Sequence, residues 1–598
     1  MFQGGFFVAS GGQMRYNGEN KRKGAGALTK SNAAGLSLDR LTCIRITDEC
    51  LRPAAVRLSA ALQPLLGRAL AVVADGDEPG FLLTVDSSRS GGYTIAAEGD
   101  NVVIAGANAA QTMHGVYGFL RDVCGARMFT AGAVTYPAVL PKIPADLSLS
   151  YTPPFEVTET DWFSPKHTDY ALWNGLTGTV YRLLPAEAGG VAYVTPMAHT
   201  MTKTFCAADT YFAEHPEYFA LRHGKRTKAQ LCLSNPDVLR VVTDEVLALL
   251  REKHNPASPL QILSLSQADN LGYCRCPACR ETDRKHGSHA GTVLAFVNAV
   301  AREVKEAGYD NVVVETLAYQ YSRTPPRDIH PEKNVAVRLC TIECCFSHPL
   351  ADPACKPNAA FAADLRGWAA ICDRLYVWDY GANYGHFAGL FPNFHVLAPN
   401  MRFFAENGVK GVYAEGNYTL KAPDTAFGEL RAYLPTCLFR DPFCDLAAER
   451  AAFLQAVYGN GGQAVGEFLD FVCDNAKTRH LGIFQPMRRT LRLTPRDVTR
   501  CDAWWDEAEA QAGDNADTVR RSRLCFRYWK MKNRRGEFRN PFSARRRREA
   551  LFQDLAVAGM TRLSEMSRKK ATVSGILQTA YFAVYPLARR VMRWLYRV

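Results

Sequence analysis

The stretch that decides the fold reads Val335-Ala-Val-Arg-Leu-Cys340-Thr341-Ile-Glu343. It is a short apolar run of strand length, and a polar segment with a carboxylate follows it directly. Such a run, when a helical segment comes next, is typical of a buried strand in a βα unit. Similar runs lie on both sides of it in the chain, so repetition of this unit is the main fold signal.

Apolar runs of this kind alternate with amphipathic segments such as Val293–Val304 and Phe361–Cys372. Alternation over about 280 residues indicates parallel βα units, and this length suits a (β/α)8 barrel of the TIM type within an α/β protein. We predict the barrel over residues 151–435. The predicted strands are Phe155–Thr160, Leu260–Leu265, Val312–Leu317, Val335–Cys340, Leu375–Trp378 and Gly411–Ala414.

The regions that flank the predicted barrel have different patterns. Residues 36–150 predict a small α/β domain, with a β-hairpin around Glu98-Gly-Asp-Asn101 and a helix over Ala109–Val123. Residues 1–35 are rich in glycine, asparagine and lysine and predict a flexible leader. Residues 436–598 show helical periodicity only, for example over Ala503–Arg527, and predict an all-α C-terminal region.

Composition excludes several classes of protein. The chain has 598 residues, of which 47% are hydrophobic and 22% are charged, so collagen, coiled coil and wholesale disorder are excluded. No run of about 18 apolar residues predicts a transmembrane helix, and the first residues lack the pattern of a signal peptide. The 18 cysteines are scattered through a large chain. We therefore expect a cytoplasmic location with reduced thiols.

The net charge of +12 comes from one end of the chain. Residues 520–598 contain 21 Lys/Arg and 4 Asp/Glu, so a general nucleic-acid-binding surface is not indicated. The last stretch, Ile576–Val598, interleaves apolar residues with arginines. It could lie on an anionic membrane surface, but an ordinary amphipathic helix packed on the barrel is favoured. The oligomeric state is left open.

The ends of the predicted strands carry the candidate site. In a TIM barrel the chemistry lies at the carboxyl ends of the strands, which we call the mouth. Five predicted strands end near an acid with aromatic or amide neighbours. Carboxylates protonate glycosidic oxygens, aromatic faces cover sugar rings and amides bind hydroxyls, so this set indicates sugar chemistry. The acids are Asp269, Glu315, Glu343, Asp379 and Glu415.

A series of motifs adds a family resemblance over roughly residues 155–435. The motifs are His215-Pro-Glu-Tyr-Phe219, Gln230-Leu-Cys-Leu-Ser-Asn235, Ser264-Leu-Ser-Gln-Ala-Asp-Asn270, Tyr273-Cys-Arg-Cys-Pro-Ala-Cys279, Leu317-Ala-Tyr-Gln-Tyr321, Arg338-Leu-Cys-Thr-Ile-Glu-Cys-Cys345, Trp378-Asp-Tyr380 and Asn407-Gly-Val-Lys-Gly-Val412. Together they resemble the bacterial family described as domain of unknown function 4838, part of which is placed in glycoside hydrolase family 163. The segment Asn108–Leu120 also resembles the small domain that precedes the barrel in α-glucuronidases and β-hexosaminidases.

The resemblance implies a retaining endo-β-N-acetylglucosaminidase that acts on the chitobiose core of N-glycans. Glu343 is the leading candidate for the general acid, because it follows a strand in an apolar stretch where burial would raise its pKa. Asp379 is the next candidate, and Glu415 competes as acid or nucleophile. The 2-acetamido group of the substrate could itself act as nucleophile, with Asp379, Asp269 or Asn270 holding it. The predicted substrate-binding residues are His199, Asp269, Asn270, Tyr319, Trp378, Tyr380 and Asn417.

Two alternatives remain open at this stage. An α-glucuronidase-like barrel enzyme would need a basic clamp for its uronate, which Arg226 or Arg338 could supply. A glycan-binding protein could keep the aromatic mouth without hydrolysis. A serine nucleophile elbow, a phosphate-binding loop and a dinucleotide fingerprint are absent from the sequence, which argues against esterases, kinases and dehydrogenases.

The cysteine triplet Cys274-x-Cys276-x-x-Cys279 has a spacing that is typical of metal ligands. Three thiolates fall short of the four ligands of a structural zinc site, although Cys344 or His286 could supply a fourth. A loop packed by buried thiols is favoured. We therefore predict no cofactor and no metal.

Overall fold

The computed structural model describes residues 35–178, 184–423 and 425–565. Almost all of the predicted leader and the whole of the predicted basic segment 576–598 lie outside these residues. Within them, no helix is long and apolar enough to cross a membrane.

The N-terminal region is a six-stranded mixed sheet with two helices against it, over the described residues 35–151. The predicted hairpin is confirmed as an antiparallel pair, Tyr93–Glu98 with Asn101–Gly106. The strand order of the sheet is β10-β5-β6-β4-β2-β3. Its buried apolar side chains form a core separate from that of the barrel. The elements are β1 Leu36–Ser37, β2 Cys43–Ile46, α1 Arg52–Leu66, β3 Ala71–Val73, β4 Gly80–Val85, β5 Tyr93–Glu98, β6 Asn101–Gly106, α2 Ala109–Gly118, β7 Arg127–Thr130, β8 Ala133–Thr135, β9 Lys142–Ile143 and β10 Ser148–Tyr151.

A parallel TIM-type barrel follows, as predicted. Within the described residues it has seven strands, in the order β11-β19-β18-β17-β16-β15-β12. All six predicted strands are confirmed; the seventh, β12, has only three residues, too short to show a pattern. The strands are β11 Val157–Thr160, β12 Val191–Tyr193, β15 Leu260–Ser264, β16 Val312–Ala318, β17 Val335–Cys340, β18 Leu375–Tyr380 and β19 Gly411–Glu415, and a hairpin of β13 Phe219–Arg222 and β14 Lys225–Leu231 is inserted between β12 and β15.

Between β11 and β12, the described part of the chain around Thr177 closes the seam of the barrel. The Thr177 amide donates to the Thr158 carbonyl at 3.1 Å, and the Val191 amide donates to the Thr177 carbonyl at 2.8 Å. Thr177 therefore bridges the two strands, which would otherwise leave unpaired backbone groups at this edge.

Helices cover the outside of the barrel because their apolar stripes match the outer face of the strands. In α5, for example, Val238, Val242, Val246 and Leu250 are buried at helical spacing. The helices are α3 Thr168–Trp173, α4 Ala208–Tyr211, α5 Pro236–Lys253, α6 Pro277–His286, α7 His289–Glu306, α8 Lys356–Ala369, α9 Phe394–Glu406 and α10 Gly428–Arg440.

The barrel interior is filled in layers, as alternation along each strand requires. The lowest layer is apolar and contains Val157, Ile262 and Tyr376. Two residues further along the strands lies a polar layer, which we call the ion-pair layer. It consists of Glu159, Tyr193, Glu315 and Arg338.

The ion-pair layer is held by one arginine. Arg338 and Glu315 are fully buried, and the guanidinium donates to a single Glu315 oxygen from Nε at 2.9 Å and from Nη2 at 2.6 Å. Arg338 also donates to the Tyr193 hydroxyl, which donates to Glu159 at 2.8 Å. Burial raises the pKa of Glu159 to about 7, against the lowering effect of Arg338. The layer thus contains two carboxyls and one guanidinium.

The C-terminal region is mainly helical, as predicted, and its last described helix ends at Val557. The predicted helix Ala503–Arg527 is instead two helices, because the chain turns at Gly513, which has φ 54°. The helices are α11 Leu446–Tyr458, α12 Gly462–Ala476, α13 Met487–Thr490, α14 Pro495–Gln511, α15 Ala516–Asn533 and α16 Pro541–Val557. After α16 the chain returns to the barrel mouth through residues 559–565, which we call the returning segment.

Candidate active site

Two buried carboxyls meet at the mouth, one layer above the ion-pair layer. Asp161 follows β11 directly, and Glu415 is the last residue of β19, the strand that pairs with β11. Asp161 accepts hydrogen bonds from the Gly416 amide at 2.6 Å and from the Tyr413 hydroxyl at 2.8 Å. Glu415 accepts one from the indole N–H of Trp378 at 2.8 Å. We call Asp161, Trp378, Tyr413 and Glu415 the mouth layer.

The two carboxyls of the mouth layer cannot both ionise easily. Burial raises the pKa of Glu415 well above its usual range, and the neighbouring Asp161 raises it further. Burial also raises the pKa of Asp161, but its two hydrogen-bond donors favour the ionised form. The pair therefore favours holding one proton over double ionisation, and the hydrogen-bond donors of Asp161 favour Glu415 as the protonated partner.

Glycine at position 416 lets this pair form. A Cβ atom at Gly416 would lie 2.5 Å from the indole ring of Trp162. The backbone therefore approaches Trp162 closely enough for the Gly416 amide to reach Asp161. A larger residue would push the amide away from the carboxylate.

An aromatic wall stands beside the carboxyl pair. Trp378 and Tyr380 share the inner face of β18, with ring centroids 6.2 Å apart and planes at 21°. Tyr384 packs edge-on against Tyr380 at 5.7 Å, and its hydroxyl donates to the backbone carbonyl of Glu415. This arrangement has flat apolar surface next to a proton donor, which is what a sugar ring requires.

A second group of predicted residues lies across the mouth. The Tyr319 hydroxyl donates to Asp269 at 2.8 Å, and the His199 ring lies 6.1 Å from the Tyr319 ring. Asp269 is exposed, whereas Tyr319 is buried. Trp378 packs against the cluster that contains Tyr319, so the two groups are neighbours at the mouth.

The structure corrects the expectation for Glu343. Its side chain is 45% exposed and forms an ion pair with Arg323, which also donates to Asp364. Cys344 and Cys345 turn inward in its place. The segment is apolar and largely buried, as predicted from the sequence. The Glu343 carboxylate itself lies on the rim of the barrel and not in a buried environment.

Asp379 lies at the mouth but on the opposite face of its strand from Trp378 and Tyr380. It accepts a hydrogen bond from the Thr341 hydroxyl at 2.7 Å, and burial raises its pKa to about 6. The side chain thus links the ends of β17 and β18. This placement separates Asp379 from the carboxyl pair of the mouth layer.

The two predicted asparagines hold local chain structure. Asn270 donates to the Ala229 carbonyl on β14 at 2.9 Å and accepts from the Gly272 amide at 2.8 Å. Asn417 is fully buried and accepts from the Thr419 hydroxyl at 2.7 Å. Both side-chain amide groups are therefore engaged in contacts within the protein.

The arginines proposed for a uronate clamp are both engaged elsewhere. Arg338 belongs to the ion-pair layer, below the mouth. Arg226 lies on the β13–β14 hairpin and donates to the Phe219 carbonyl at 2.8 Å. The geometry therefore does not support a uronate clamp made of these residues.

Two features of the site escaped the sequence analysis. Asp161 directly follows the first predicted strand, so the same strand-end rule would have found it. Glu565 lies on the returning segment; its amide donates to the Tyr384 carbonyl at 2.8 Å, and burial raises its pKa. Nothing in the local sequence signals that this residue reaches the barrel mouth.

Two clusters of sulfur and nitrogen atoms could hold a metal. One contains Cys232, Cys274, Cys276 and Cys279, and the other contains Cys345, His348, Cys355 and His480; within each, the ligand atoms lie within 4.8 Å of one another. The triplet predicted to be incomplete is therefore completed by Cys232. The other proposed fourth ligands lie elsewhere: Cys344 is in the barrel core, and His286 contacts the Arg327 carbonyl.

A cavity of about 530 Å³ lies at the other end of the barrel, between the amino ends of the strands and the N-terminal sheet. It is lined by Tyr93, Tyr151 and Arg440, among others. Its one acidic side chain, Glu156, is paired with Arg374. The mouth is the better candidate because it combines a protonated carboxyl with an aromatic wall.

Residues 128–470 match the family model described as Domain of unknown function (DUF4838). The chain belongs to this family. The matched region contains all seven barrel strands and the mouth layer, and Glu565 lies beyond it. No curated protein matches the chain.

Solved structures with a similar arrangement include several glycoside hydrolases. A family GH115 4-O-methyl-α-glucuronidase with specificity for decorated arabinogalactans has 10% identity and a TM-score of 0.52, over 89% of this chain and 77% of its own. A GH138 enzyme targeting pectin rhamnogalacturonan II has 10% identity and a TM-score of 0.43, over 92% and 100%. The GH20 β-N-acetylhexosaminidase from Streptomyces coelicolor A3(2) has 16% identity and a TM-score of 0.40, over 71% and 92%. The first likeness confirms the TIM-type fold.

Proposed function

We propose that this protein is a glycoside hydrolase in which Glu415 is the general acid. The observation that carries the proposal is the buried Asp161–Glu415 pair beside an aromatic wall, in which burial and Asp161 raise the pKa of Glu415 and so favour its protonated form. A carboxylic acid that is still protonated near pH 7 is what cleavage of an unactivated glycosidic bond needs. The barrel likeness to glycoside hydrolases agrees with this proposal.

The mouth layer fixes how the proton would be delivered. The indole N–H of Trp378 occupies one oxygen of Glu415, so the proton lies on the other oxygen and points away from Trp378. When Glu415 gives its proton to the leaving oxygen, the resulting carboxylate keeps the Trp378 hydrogen bond. Asp161 remains anionic throughout, which favours reprotonation of Glu415 afterwards.

For the substrate class, we propose a retaining endo-β-N-acetylglucosaminidase acting on N-glycan-type oligosaccharides. The sequence motifs shared with glycoside hydrolase family 163 support this choice. The Asp269–Tyr319 pair across the mouth supports it as well, because the exposed Asp269 carboxylate can accept the acetamide N–H while the Tyr319 hydroxyl donates to this carboxylate and holds it in place. The acetamide oxygen would then attack the anomeric carbon, as substrate-assisted enzymes do.

The experiment compares Glu415→Gln with the wild-type enzyme on a high-mannose N-glycan, with mass-spectrometric product analysis. Glutamine keeps the Trp378 hydrogen bond but has no proton to donate, so kcat should fall by about 10²- to 10⁴-fold. A chitobioside with a nitrophenol leaving group needs little protonation, so the variant should recover most of its activity on it. Asp269→Asn should lose activity on both substrates, because it acts on the nucleophile.

Three outcomes decide between the functions. Full activity of Glu415→Gln on the unactivated glycan would remove Glu415 from the mechanism. Cleavage of other glycans but not of chitobiose would keep the glycoside hydrolase and reject the substrate class. Binding of glycans by the wild-type protein with no turnover of any substrate would leave a non-catalytic glycan-binding protein.

A further inference from the structure

Four cysteines converge beside the β13–β14 hairpin, from two separate segments of the chain. Cys232 follows β14, Cys274 and Cys276 lie in the loop that leads into α6, and Cys279 lies in the first turn of α6. All four side chains are buried. The Cys232 sulfur lies 3.6 Å from that of Cys276 and 3.9 Å from that of Cys279.

These distances fit a tetrahedral metal site. Zinc–sulfur bonds of about 2.3 Å place the sulfurs of a tetrahedron about 3.8 Å apart. A disulfide would require a sulfur–sulfur distance of about 2.05 Å. No cysteine in the described part of the chain forms a disulfide. The two distances from Cys232 thus match the spacing that a central zinc ion imposes, and all four sulfurs lie within 4.8 Å of one another.

Backbone amides point at two of the sulfurs. The Leu221 amide donates to Cys274 at 3.3 Å, and the Cys279 amide donates to Cys276 at 3.4 Å. Cys276 is also the N-cap of α6, where the helix dipole favours negative charge. Both features stabilise thiolates, which are the form that binds metal.

The lobe around this cluster has almost no hydrophobic core of its own. Its separate buried cluster consists of Ala220 and the four cysteines, with Leu221 packed against it. Thiols alone bury too little apolar surface to hold a hairpin and a loop together. Small lobes of this kind are commonly stapled by a structural metal.

The structure assigns a structural Zn²⁺ site to Cys232, Cys274, Cys276 and Cys279. Four thiolate ligands leave no open position, so the site stabilises the fold and does not activate water. Its loop continues into Asp269 and Asn270, where Gln230 on β14 donates to the Ala268 carbonyl at 2.7 Å. The metal would therefore hold the lobe that borders one side of the mouth.

A second, independent cluster supports a Cys2His2 zinc site. The Cys345 sulfur lies 3.2 Å from His348 Nδ1, and the Cys355 sulfur lies 3.6 Å from His480 Nδ1. His348 Nε2 lies 2.9 Å from the Lys477 carbonyl, which leaves Nδ1 as the ligand atom. This site would tie the loop after β17 to the chain after α12.

The test is the metal content of the full chain, purified without chelators from zinc-supplemented cells. Elemental analysis should give about two zinc ions per chain. Cys232→Ser should lose one and Cys355→Ser the other, while Cys206→Ser, a buried cysteine outside both clusters, should keep both. Cobalt substitution should give intense sulfur-to-cobalt charge-transfer bands, and Cys232→Ser should reduce them to the weaker bands expected of the Cys2His2 site.

The cobalt spectrum and metal count of the wild-type protein decide the question even if a variant fails to fold. Wild-type protein without zinc, in which a thiol reagent in denaturant still counts all 18 cysteines as reduced, would overturn both sites. A mass decrease that indicates a disulfide at Cys232 would overturn the first. One zinc that survives Cys232→Ser but not Cys355→Ser would leave only the second.

Discussion

The ion-pair layer and the mouth layer lie one above the other in the barrel and share only strand β11, yet their carboxyls are in opposite situations. On β11, Glu159 belongs to the lower layer and Asp161 follows in the upper one. In the lower layer, Arg338 neutralises Glu315 and reaches Glu159 through Tyr193. In the upper layer, neutral groups donate the hydrogen bonds, from the Trp378 indole and the Tyr413 hydroxyl.

Because of this difference, we expect the lower layer to contribute to the stability of the barrel and the upper layer to contribute to catalysis. A guanidinium in the lower layer compensates one buried charge, so the layer can be sealed from solvent. Without a guanidinium in contact, the upper carboxyls must share a proton, and a shared proton can be transferred. Substitutions in the two layers should therefore act on different quantities, namely the free energy of unfolding below and turnover above.

The largest expected effect is on stability, from Arg338→Met. The change leaves Glu315 buried without its counter-ion, which should lower the free energy of unfolding by about 3 to 5 kcal/mol. Urea unfolding followed by tryptophan fluorescence measures this. Arg302→Met is the matched control, because Arg302 forms an exposed pair with Glu332 and should cost at most about 1 kcal/mol. Equal losses in the two variants would contradict the role given to Arg338.

A smaller effect concerns pH. The pKa of Glu159 is about 7 when folded and near 4.5 when unfolded, so the folded state holds this proton more tightly. Stability from this group is fully present below pH 4.5 and is lost as the pH rises through 7, by about 3 kcal/mol in total. Glu159→Gln keeps the Tyr193 contact and cannot ionise. It should match the wild type at pH 4.5 and exceed it at pH 8 in unfolding experiments; parallel curves would show that Glu159 does not hold the proton.

The next effect concerns Asp379, which lies at the mouth but on the opposite face of β18 from the aromatic wall. Asp379→Asn removes an acid that points away from the aromatic wall, so kcat/KM on the glycan should fall by no more than about tenfold. Glu415→Gln, measured in parallel, should fall by the larger factor given by general acid catalysis. A hundredfold or greater loss in Asp379→Asn would place this carboxylate in the reaction.

The smallest effect is expected for Glu343→Gln. The side chain is exposed and its partner Arg323 retains Asp364, so turnover should stay within about threefold of the wild type. Steady-state kinetics on the same unactivated glycan check this. A loss as large as that of Glu415→Gln would restore Glu343 as the leading acid.

The sequence predicted the fold well because strands and helices leave separate periodic patterns. The six longer barrel strands were each visible as apolar runs, and Glu415 was found because parallel strands bring their carboxyl ends together. The direction of a side chain beyond the strand end was less predictable. Glu343 lies three residues after β17, where alternation no longer fixes orientation and Arg323 draws the carboxylate outward.

Contacts between distant segments account for what was missed. Cys232 is 42 residues before Cys274, and only the hairpin fold brings them together. Glu565 comes from a region with helical periodicity, and its position follows from tertiary packing alone. Asp161 is a different case. It directly follows the first predicted strand, so its position at the mouth is predictable from the sequence.

The returning segment has a consequence for the order in which the protein is made. Gly559 packs against Ala422, Thr561 donates to the Thr419 carbonyl at 3.0 Å, and Leu563 accepts from the Phe387 amide at 2.9 Å. During synthesis, β19 leaves the ribosome about 150 residues before these contacts can form, since translation is sequential. The nascent barrel therefore spends that interval with its loops uncovered on one side. A chain that stops at residue 470 would remain permanently in this unfinished state.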